Sequence, residues 1–154
     1  VSLPAEEGLV DQNLALDDAA DKIYCLEVIE HIYRPQAQEM LLAFHRALKP
    51  GGRVLLTTPN YRSLWPAIEW TMDRLGLSPK LAGEQHVEHY TRPKMRAVTE
   101  SAGFLVESMQ TMCLLSPWVA SLSWRLAEYL FEQECRVVGL PGPVLVAVLR
   151  KPAA

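Results

Sequence analysis

The sequence predicts an α/β fold in which strands and helices alternate around a mainly parallel sheet. Two short apolar runs, residues 22–26 and 53–58, have the composition of strands buried on both faces. A helical repeat over residues 35–48 separates them, so strand, helix and strand follow one another as in a right-handed βαβ unit. The length of 154 residues suits one domain with a core of its own.

The first unit has clear local signals at each boundary. The run 22–26 is expected to be a central strand because all of it is apolar or strand-forming except its first residue. Pro35 suits the first turn of the helix, and the sequence 49–52, Lys-Pro-Gly-Gly, is expected to end it. The second strand, 53–58, stops at the sequence Pro-Asn. The apolar positions of the helix are Ala37, Met40, Leu41, Phe44 and Leu48.

The second half of the chain continues the alternation with two helical additions. Its predicted elements are a helix at 63–75, a helix that Thr91 caps and Gly103 ends, a strand at 104–109, a helix at 118–134 and a strand at 144–149. The helices at 63–75 and 118–134 are additional to the single helix that normally connects two neighbouring strands of a parallel sheet. We therefore predict helical inserts at about 61–90 and 117–135 of one domain.

Charge and composition narrow the functional classes. The formal net charge is −3 and the isoelectric point about 5.8, so no general positive field attracts nucleic acid. Three widely spaced cysteines show no metal-ligand or disulfide spacing and suit a reducing compartment. Residues 1–7 lack the basic and apolar regions of a signal peptide, and no apolar run suits a membrane span. These features predict a cytoplasmic protein.

Polar residues follow the first predicted strand directly. Glu27, Glu30 and His31 would share one face of a helical turn, since residues three and four apart are neighbours there. In open α/β sheets ligands bind beyond the carboxyl ends of the strands. Such a cluster can act as general acid and base or bind a divalent metal. Alternatively, Glu27 contacts a ligand backbone, Glu30 caps a helix and His31 makes a structural hydrogen bond.

Two longer stretches carry a family resemblance. Residues 21–31 and 48–60 closely resemble the fourth through fifth strands of class I S-adenosylmethionine-dependent methyltransferases, and residues 86–92 with 102–104 continue the pattern. The ubiquinone-type O-methyltransferases and related small-molecule enzymes are the relatives that we suggest. The resemblance implies a Rossmann-like sheet of order 3-2-1-4-5-7-6. It places S-adenosylmethionine across the ends of strands 1, 2 and 4, where Cys25, Leu26 and Glu27 would contact it.

The chain departs from the family before residue 21. Gly8 is the one glycine there, so the acidic, glycine-rich turn of the first strand has no counterpart. We expect strands 1 and 2 to be missing and residues 9–13 to form the end of strand 3. Asp11 would then accept from the adenine amino group, or be a turn aspartate. The strand at 22–26 would need cover from a second copy, the N-terminal segment or an absent N-terminal half, and the cofactor would bind weakly or not at all.

A narrower resemblance concerns a metal. Glu27, Glu30 and His31 match the ExxEH motif of small-RNA 2′-O-methyltransferases, in which two glutamates and two histidines hold magnesium or manganese. In that family the second histidine precedes a Thr-Arg pair, as His86 does here, with His89 as the reserve. Many small-molecule members share the pattern without a metal. The metal set Glu27, Glu30, His31 and His86 is therefore one of two interpretations.

Together with the resemblance, the sequence predicts methyl transfer to an oxygen, in preference to a nitrogen or carbon, of a small or lipid-like acceptor, with His31 or Glu27 as base. Two alternatives remain. One is metal-assisted methylation of an RNA ribose, which the acidic balance disfavours, and the other is a non-catalytic module that does not bind cofactor. The predicted helix 118–134 carries Trp118, Trp124 and Phe131 beside its main apolar stripe. This second face can pack on the core or contact a lipid, a membrane surface or another subunit.

Overall fold

The computed structural model describes residues 17–76, 85–120, 122–137 and 141–153, without the side chain of Met72. The predicted strand at 9–13, with Asp11, lies outside them. Within the described residues the elements are β1 (Ala20–Leu26), a 3-10 turn (Ile29–His31), α1 (Arg34–Ala47), β2 (Leu48–Pro59), α2 (Trp65–Leu75), α3 (Arg92–Ser101), β3 (Leu105–Met112), α4 (Ser116–Ala120), α5 (Trp124–Arg136) and β4 (Val144–Arg150).

The four strands form one sheet of order β1-β2-β4-β3. β1 and β2 are parallel, and β4 runs antiparallel to both of its neighbours. This is the order expected for strands 4, 5, 7 and 6, so the predicted α/β fold is confirmed. Val144 pairs with Pro59 on one side and Met112 on the other. The carboxyl ends of β1, β2 and β3 therefore meet at the same edge, which we call the C-terminal edge.

The first βαβ unit forms much as its local sequence predicts. Pro35 lies in the first turn of α1, where its missing N–H costs nothing. The Gln36 side chain accepts from the Tyr33 backbone N–H at 3.1 Å and satisfies that donor. The residues 49–52 are part of β2 rather than a turn after the helix. The register with β1 shifts there, between Ala20 and Lys22, and Gly51 in this stretch has φ +78, a conformation that glycine adopts readily.

The core lies between the sheet and the helices α1 and α3, which also contact each other. β2 alternates buried and less buried positions along most of its length, which is the pattern of a strand packed chiefly on one face. α3 begins at the predicted position, although the Thr91 hydroxyl makes no capping bond, and Gly103 ends it at φ +89. The larger buried side chains are Ile29, Leu41, Leu48, Val54, Leu56, Tyr90, Met95, Phe104, Leu145 and Leu149.

The expected burial of the first strand is wrong for one face. Cys25 is buried, whereas its neighbours Tyr24 and Leu26 are 63% and 51% exposed. In the described part of the chain β1 pairs with β2 alone and forms an edge of the sheet. An apolar composition indicates that a strand can be covered on both sides, but the covering element must come from elsewhere in the fold.

The predicted helix 118–134 is two helices, α4 and α5. The break occurs where the Ser123 hydroxyl accepts from the Leu126 N–H and starts a new helix. The buried Glu134 then fastens the pair, because its carboxylate accepts from the backbone N–H groups of residues 114–116 at 2.6–3.1 Å. We call α4 and α5 together the helical hairpin. No helix among the described residues combines the length and apolarity needed to cross a membrane.

Candidate functional site

The polar residues predicted at the C-terminal edge gather around the 3-10 turn after β1. Glu27 leaves β1 with φ +52, and its N–H donates to the Thr57 carbonyl oxygen at 3.1 Å. The turn itself starts two residues later, at Ile29. Glu27 is therefore not on the same helical face as Glu30 and His31. The helical spacing that predicted all three together is wrong for Glu27.

Glu30 is the buried acid of the site, with 1% of its surface exposed. The Thr58 hydroxyl, at the end of β2, donates to its Oε2 at 3.0 Å. The Glu30 backbone carbonyl accepts from the N–H groups of Val87 at 2.9 Å and Glu88 at 3.1 Å. These bonds hold the segment that carries His86 against the turn.

His31 is oriented by the same segment. Its Nδ1 lies 2.7 Å from the Gln85 carbonyl oxygen. Since a carbonyl oxygen only accepts, Nδ1 carries the proton, and Nε2 of the neutral ring keeps its lone pair. That Nε2 is 3.7 Å from Oε1 of Glu30.

His86 is oriented from the opposite side. Its Nδ1 lies 2.6 Å from Oε1 of Glu69, a buried carboxylate on α2. The Tyr61 hydroxyl donates to the same carboxylate, at 2.8 and 2.9 Å from its two oxygens. Nε2 of the neutral His86 ring is therefore also left with a lone pair. The two imidazole rings are 5.1 Å apart.

Glu30, His31 and His86 form a compact donor set. Each offers one ligand atom, and the three atoms lie within 4.8 Å of one another. Two imidazoles with Nδ1–H engaged and Nε2 available are typical of histidines that bind metal ions. Glu27 lies outside this set, and His89 instead stacks on the Tyr61 ring at 4.0 Å. Three of the four residues of the predicted metal set thus lie together, and the binding of a metal stays a prediction.

The family model of the methyltransferase domain matches residues 5–109, about two thirds of the chain. The chain belongs to this methyltransferase family. No curated protein sequence matches it.

Solved methyltransferases share the fold of this family member. A SAM-dependent methyltransferase from Archaeoglobus fulgidus has a TM-score of 0.59 and 14% identity, over 88% of this chain and 61% of that one. An S-adenosylmethionine-dependent methyltransferase from Mesorhizobium loti has a TM-score of 0.56 and 19% identity, over 88% and 64%. The 1,6-didemethyltoxoflavin-N1-methyltransferase from Burkholderia thailandensis, solved with 1,6-didemethyltoxoflavin and S-adenosylhomocysteine, has a TM-score of 0.52 and 13% identity, over 88% and 45%. The chain spans about three fifths of the first two structures.

The predicted cofactor contacts of the methyltransferase chain differ in exposure. Burial, and then the nearby Glu30 carboxylate, raise the pKa of the Cys25 thiol to about 11. Leu26 opens to solvent at the C-terminal edge. Asp11, the predicted adenine contact, lies outside the described residues.

Glu27 remains electrostatically coupled to the donor set. Partial burial of its carboxyl raises the pKa of Glu27 above its ordinary value, although much of the residue is solvent-accessible. A hydrogen bond from Thr57 opposes this rise in pKa, the Glu30 carboxylate adds to it, and the imidazoles of His86 and His31 oppose it. A carboxylate with a raised pKa is a stronger base than an ordinary one.

Sequence reasoning missed three side chains of the site: Thr58, Tyr61 and Glu69. Thr58 is the penultimate residue of β2 and Tyr61 lies two residues after its end, so the rule that ligands bind at strand ends could have indicated both. Glu69 lies four residues after Trp65 and next to Ile68, so an acid occupies the apolar side of a predicted helix. This acidic residue on an apolar helix face could have indicated that Glu69 is buried and has polar partners.

An apolar cavity of about 370 Å³ opens in the helical hairpin of this family member. α4 begins four residues after β3 ends, so the hairpin leaves the sheet at the C-terminal edge. The Trp124 side chain beside the cavity is 73% exposed. The extra aromatic face that the sequence predicted is therefore open, and its contact with anything beyond this chain stays a prediction. The cavity is lined by Ser116, Pro117, Ala120, Trp124, Ala127, Glu128 and Phe131.

Proposed function

We propose that this methyltransferase chain serves the transfer of a methyl group from S-adenosylmethionine to an oxygen of a small or lipid-like acceptor, as in ubiquinone-type O-methyltransferases. One observation carries the proposal. A chain of the methyltransferase family places Glu27, Glu30 and His31 at the C-terminal edge of its parallel strands, where open α/β sheets bind their ligands.

The residues at the end of β1 fit the adenosyl part of the cofactor. Leu26 and Val28 expose apolar surface there, as an adenine ring requires, and the Glu27 carboxylate can accept from hydroxyl or amino groups. S-adenosylmethionine, when bound, supplies a methyl group that is already activated on a sulfonium. The task of the chain is then to orient the acceptor and receive its proton.

Two side chains can receive that proton. His31 has a lone pair on Nε2, because Nδ1 donates to the Gln85 carbonyl oxygen. Glu27 has a carboxyl whose pKa is raised. A base within hydrogen-bond reach of the acceptor hydroxyl contributes about 10²- to 10⁴-fold to the rate. We assign the role to one of these two residues.

The helical hairpin supports an acceptor with apolar parts. Its cavity is lined mainly by apolar and aromatic side chains, and it leaves the sheet at the same edge as the donor set. A cavity of about 370 Å³ lies within the range of small-molecule sites. The Burkholderia thailandensis N1-methyltransferase was solved with bound 1,6-didemethyltoxoflavin, which agrees with a small-molecule acceptor.

An NMR titration of the chain with S-adenosylhomocysteine tests the cofactor site. Because the sequence before Asp21 lacks a glycine-rich turn, we expect weak binding that needs millimolar ligand. The backbone amide signals of Cys25, Leu26 and Glu27 should shift progressively, whereas those of α5 should not. Unchanged signals at the end of β1 in millimolar ligand would contradict the proposal.

A second candidate, metal-assisted transfer, is favoured by the donor set. Glu30, His31 and His86 present one carboxylate and two imidazoles within 4.8 Å, a combination that suits divalent transition metals such as manganese. The resemblance to the ExxEH methyltransferases supports magnesium or manganese here. An RNA acceptor remains disfavoured by the net charge of −3.

Calorimetric titration with manganese distinguishes this candidate. His86→Ala should lose binding, and His89→Ala is the matched control, because His89 lies outside the donor set. Equal affinity in wild type and both variants, or no binding to wild type, would leave proton transfer by His31 or Glu27 as the role of the site.

A further inference from the structure

Helix α2 is anchored by a charged residue. Among the α2 side chains that the structure describes, Glu69 alone is buried, with 3% of its surface exposed. Trp70 and Leu75 of the same helix are 63% and 64% exposed. A helix on a protein surface usually packs through an apolar stripe. The burial of a carboxylate instead indicates that its polar contacts have a role.

Those contacts converge on His86. Glu69 Oε1 lies 2.6 Å from His86 Nδ1, and both carboxylate oxygens accept from the Tyr61 hydroxyl. An ionised carboxylate only accepts, and the Tyr61 hydroxyl, 3.2 Å from Nδ1, donates its proton to that carboxylate. His86 therefore donates through Nδ1–H. Tyr61 lies in the segment after β2, so the same carboxylate joins α2 to the sheet edge and to the imidazole.

The consequence concerns the tautomer of His86. A neutral imidazole can carry its proton on either nitrogen, and the hydrogen bond of one nitrogen selects the state of the other. With Nδ1–H bound by Glu69, the lone pair of the neutral ring is on Nε2. The His86 ring offers the donor set one ligand atom within 4.8 Å of those of Glu30 and His31. Without Glu69, a proton on Nε2 would remove that donor atom.

We infer that Glu69 is a positioning residue: by accepting from His86 Nδ1–H and Tyr61 it docks α2 and holds the His86 Nε2 lone pair toward Glu30 and His31. The inference depends on the proposed function in one respect: the proposed function is what gives the Nε2 lone pair of His86 a role in the site. The orientation of the ring can be measured without cofactor, metal or acceptor.

Long-range proton–nitrogen correlation NMR of the isotope-labelled chain reads the tautomer directly. In wild type, His86 should show protonated Nδ1 and unprotonated Nε2, with a downfield, slowly exchanging Nδ1–H signal from the short bond to Glu69. Glu69→Ala should lose this preference. Glu69→Gln should retain it, since the amide oxygen can accept from Nδ1–H. If Glu69 had a purely structural role, the His86 tautomer in Glu69→Gln would not need to match that of the wild type.

Two further measurements complete the test. Thr71→Ala changes an exposed position of the same helix, away from His86, and should leave the His86 signals unchanged. In manganese titration, Glu69→Ala should weaken binding about 10- to 100-fold, as loss of such an outer partner typically does. Glu69→Gln should weaken it less.

The outcomes separate this inference from the proposed function. A wild-type His86 that populates both tautomers equally, or that keeps Nδ1–H in Glu69→Ala, overturns the role of Glu69. If Glu69→Ala does not fold, the tautomer of His86 and its Nδ1–H signal in the wild type still test the role of Glu69. A wild type with the expected tautomer but no affinity for manganese or S-adenosylhomocysteine would contradict the proposed function and leave the positioning role intact.

Discussion

At the scale of single residues, the chemistry of the site depends on the hydrogen-bond partner of each polar side chain. Glu30 is stabilised as a buried acid because Thr58 donates to it. His31 and His86 keep Nε2 available because each Nδ1 has its own acceptor. These partners lie 17 to 54 positions away in the sequence.

Replacing Thr58 by valine should test the bond to Glu30. The shape is nearly unchanged, but a buried carboxylate loses a donor, so the free energy of unfolding should fall by about 1–3 kcal/mol. Urea unfolding measures this loss. Thr71→Val, at an exposed position of α2, is the control and should change the free energy by less than about 0.5 kcal/mol. Equal effects would show that the bond to Glu30 contributes little.

The raised pKa of Glu27 predicts a pH dependence of stability. A carboxyl whose pKa is higher in the folded chain binds its proton more tightly there, so its contribution is present at low pH. That contribution is lost as the pH rises from 4.5, the ordinary value, through the folded pKa. Glu27→Gln should abolish this loss, and urea unfolding at several pH values measures it. A Glu27→Gln curve parallel to that of wild type across the window would refute the shift.

At the scale of elements, the ends of the strands hold the C-terminal edge together. The segment before β4 runs so close to β3 that a Cβ on Gly142 would lie 2.1 Å from the Met112 carbonyl oxygen. The Gly142 carbonyl also accepts from the Asn60 side chain at 3.0 Å, just after β2. The edge that carries the donor set therefore depends on a close backbone contact.

Gly142→Ala should destabilise the chain by about 3 kcal/mol or more, because backbone atoms of β3 must move to admit the methyl group. Gly51→Ala is a matched comparison: its Cβ meets nothing within 4 Å, but φ is +78. We expect it to cost only about 1–2 kcal/mol of backbone strain. Urea unfolding measures the free energy of unfolding of both variants. A larger loss of stability for Gly51→Ala than for Gly142→Ala would contradict the close approach of Gly142 to Met112.

At the scale of the whole molecule, the exposed edge and face of β1 stand out. Tyr24 and Leu26 expose apolar surface on a strand that, among the described residues, has β2 as its one neighbour. Unpaired strand edges are templates for association. The chain spans about three fifths of the length of the first two methyltransferases that it resembles in fold. Those two structures therefore contain further sequence that has no counterpart here.

We therefore predict that residues 22–26 pair with a further strand in solution, from a second copy, from residues 1–16 or from additional methyltransferase sequence. Light scattering after size exclusion should show self-association of the 154-residue chain, or hydrogen exchange should show protected amides at 22–26. Tyr24→Lys should reduce association, whereas Trp124→Lys, on the helical hairpin, should not. A monomer with rapidly exchanging amides in β1 would contradict this prediction.

The sequence by itself determined the order of elements, the parallel βαβ unit, the left-handed stop at Gly103 and the proximity of Glu30 to His31, because all of these follow from local periodicity and turn chemistry. Residues 21–31, 48–60, 86–92 and 102–104 together indicated the family. The sequence did not reveal the break before α5.

Only the tertiary structure decided that one face of β1 is exposed, that Glu27 lies outside the three-residue donor set and that Glu69 bonds to His86 Nδ1. The physical reason is the same in each case. Apolar runs and helical spacing describe what a segment can bury, but burial and hydrogen bonding depend on which distant segment arrives beside it.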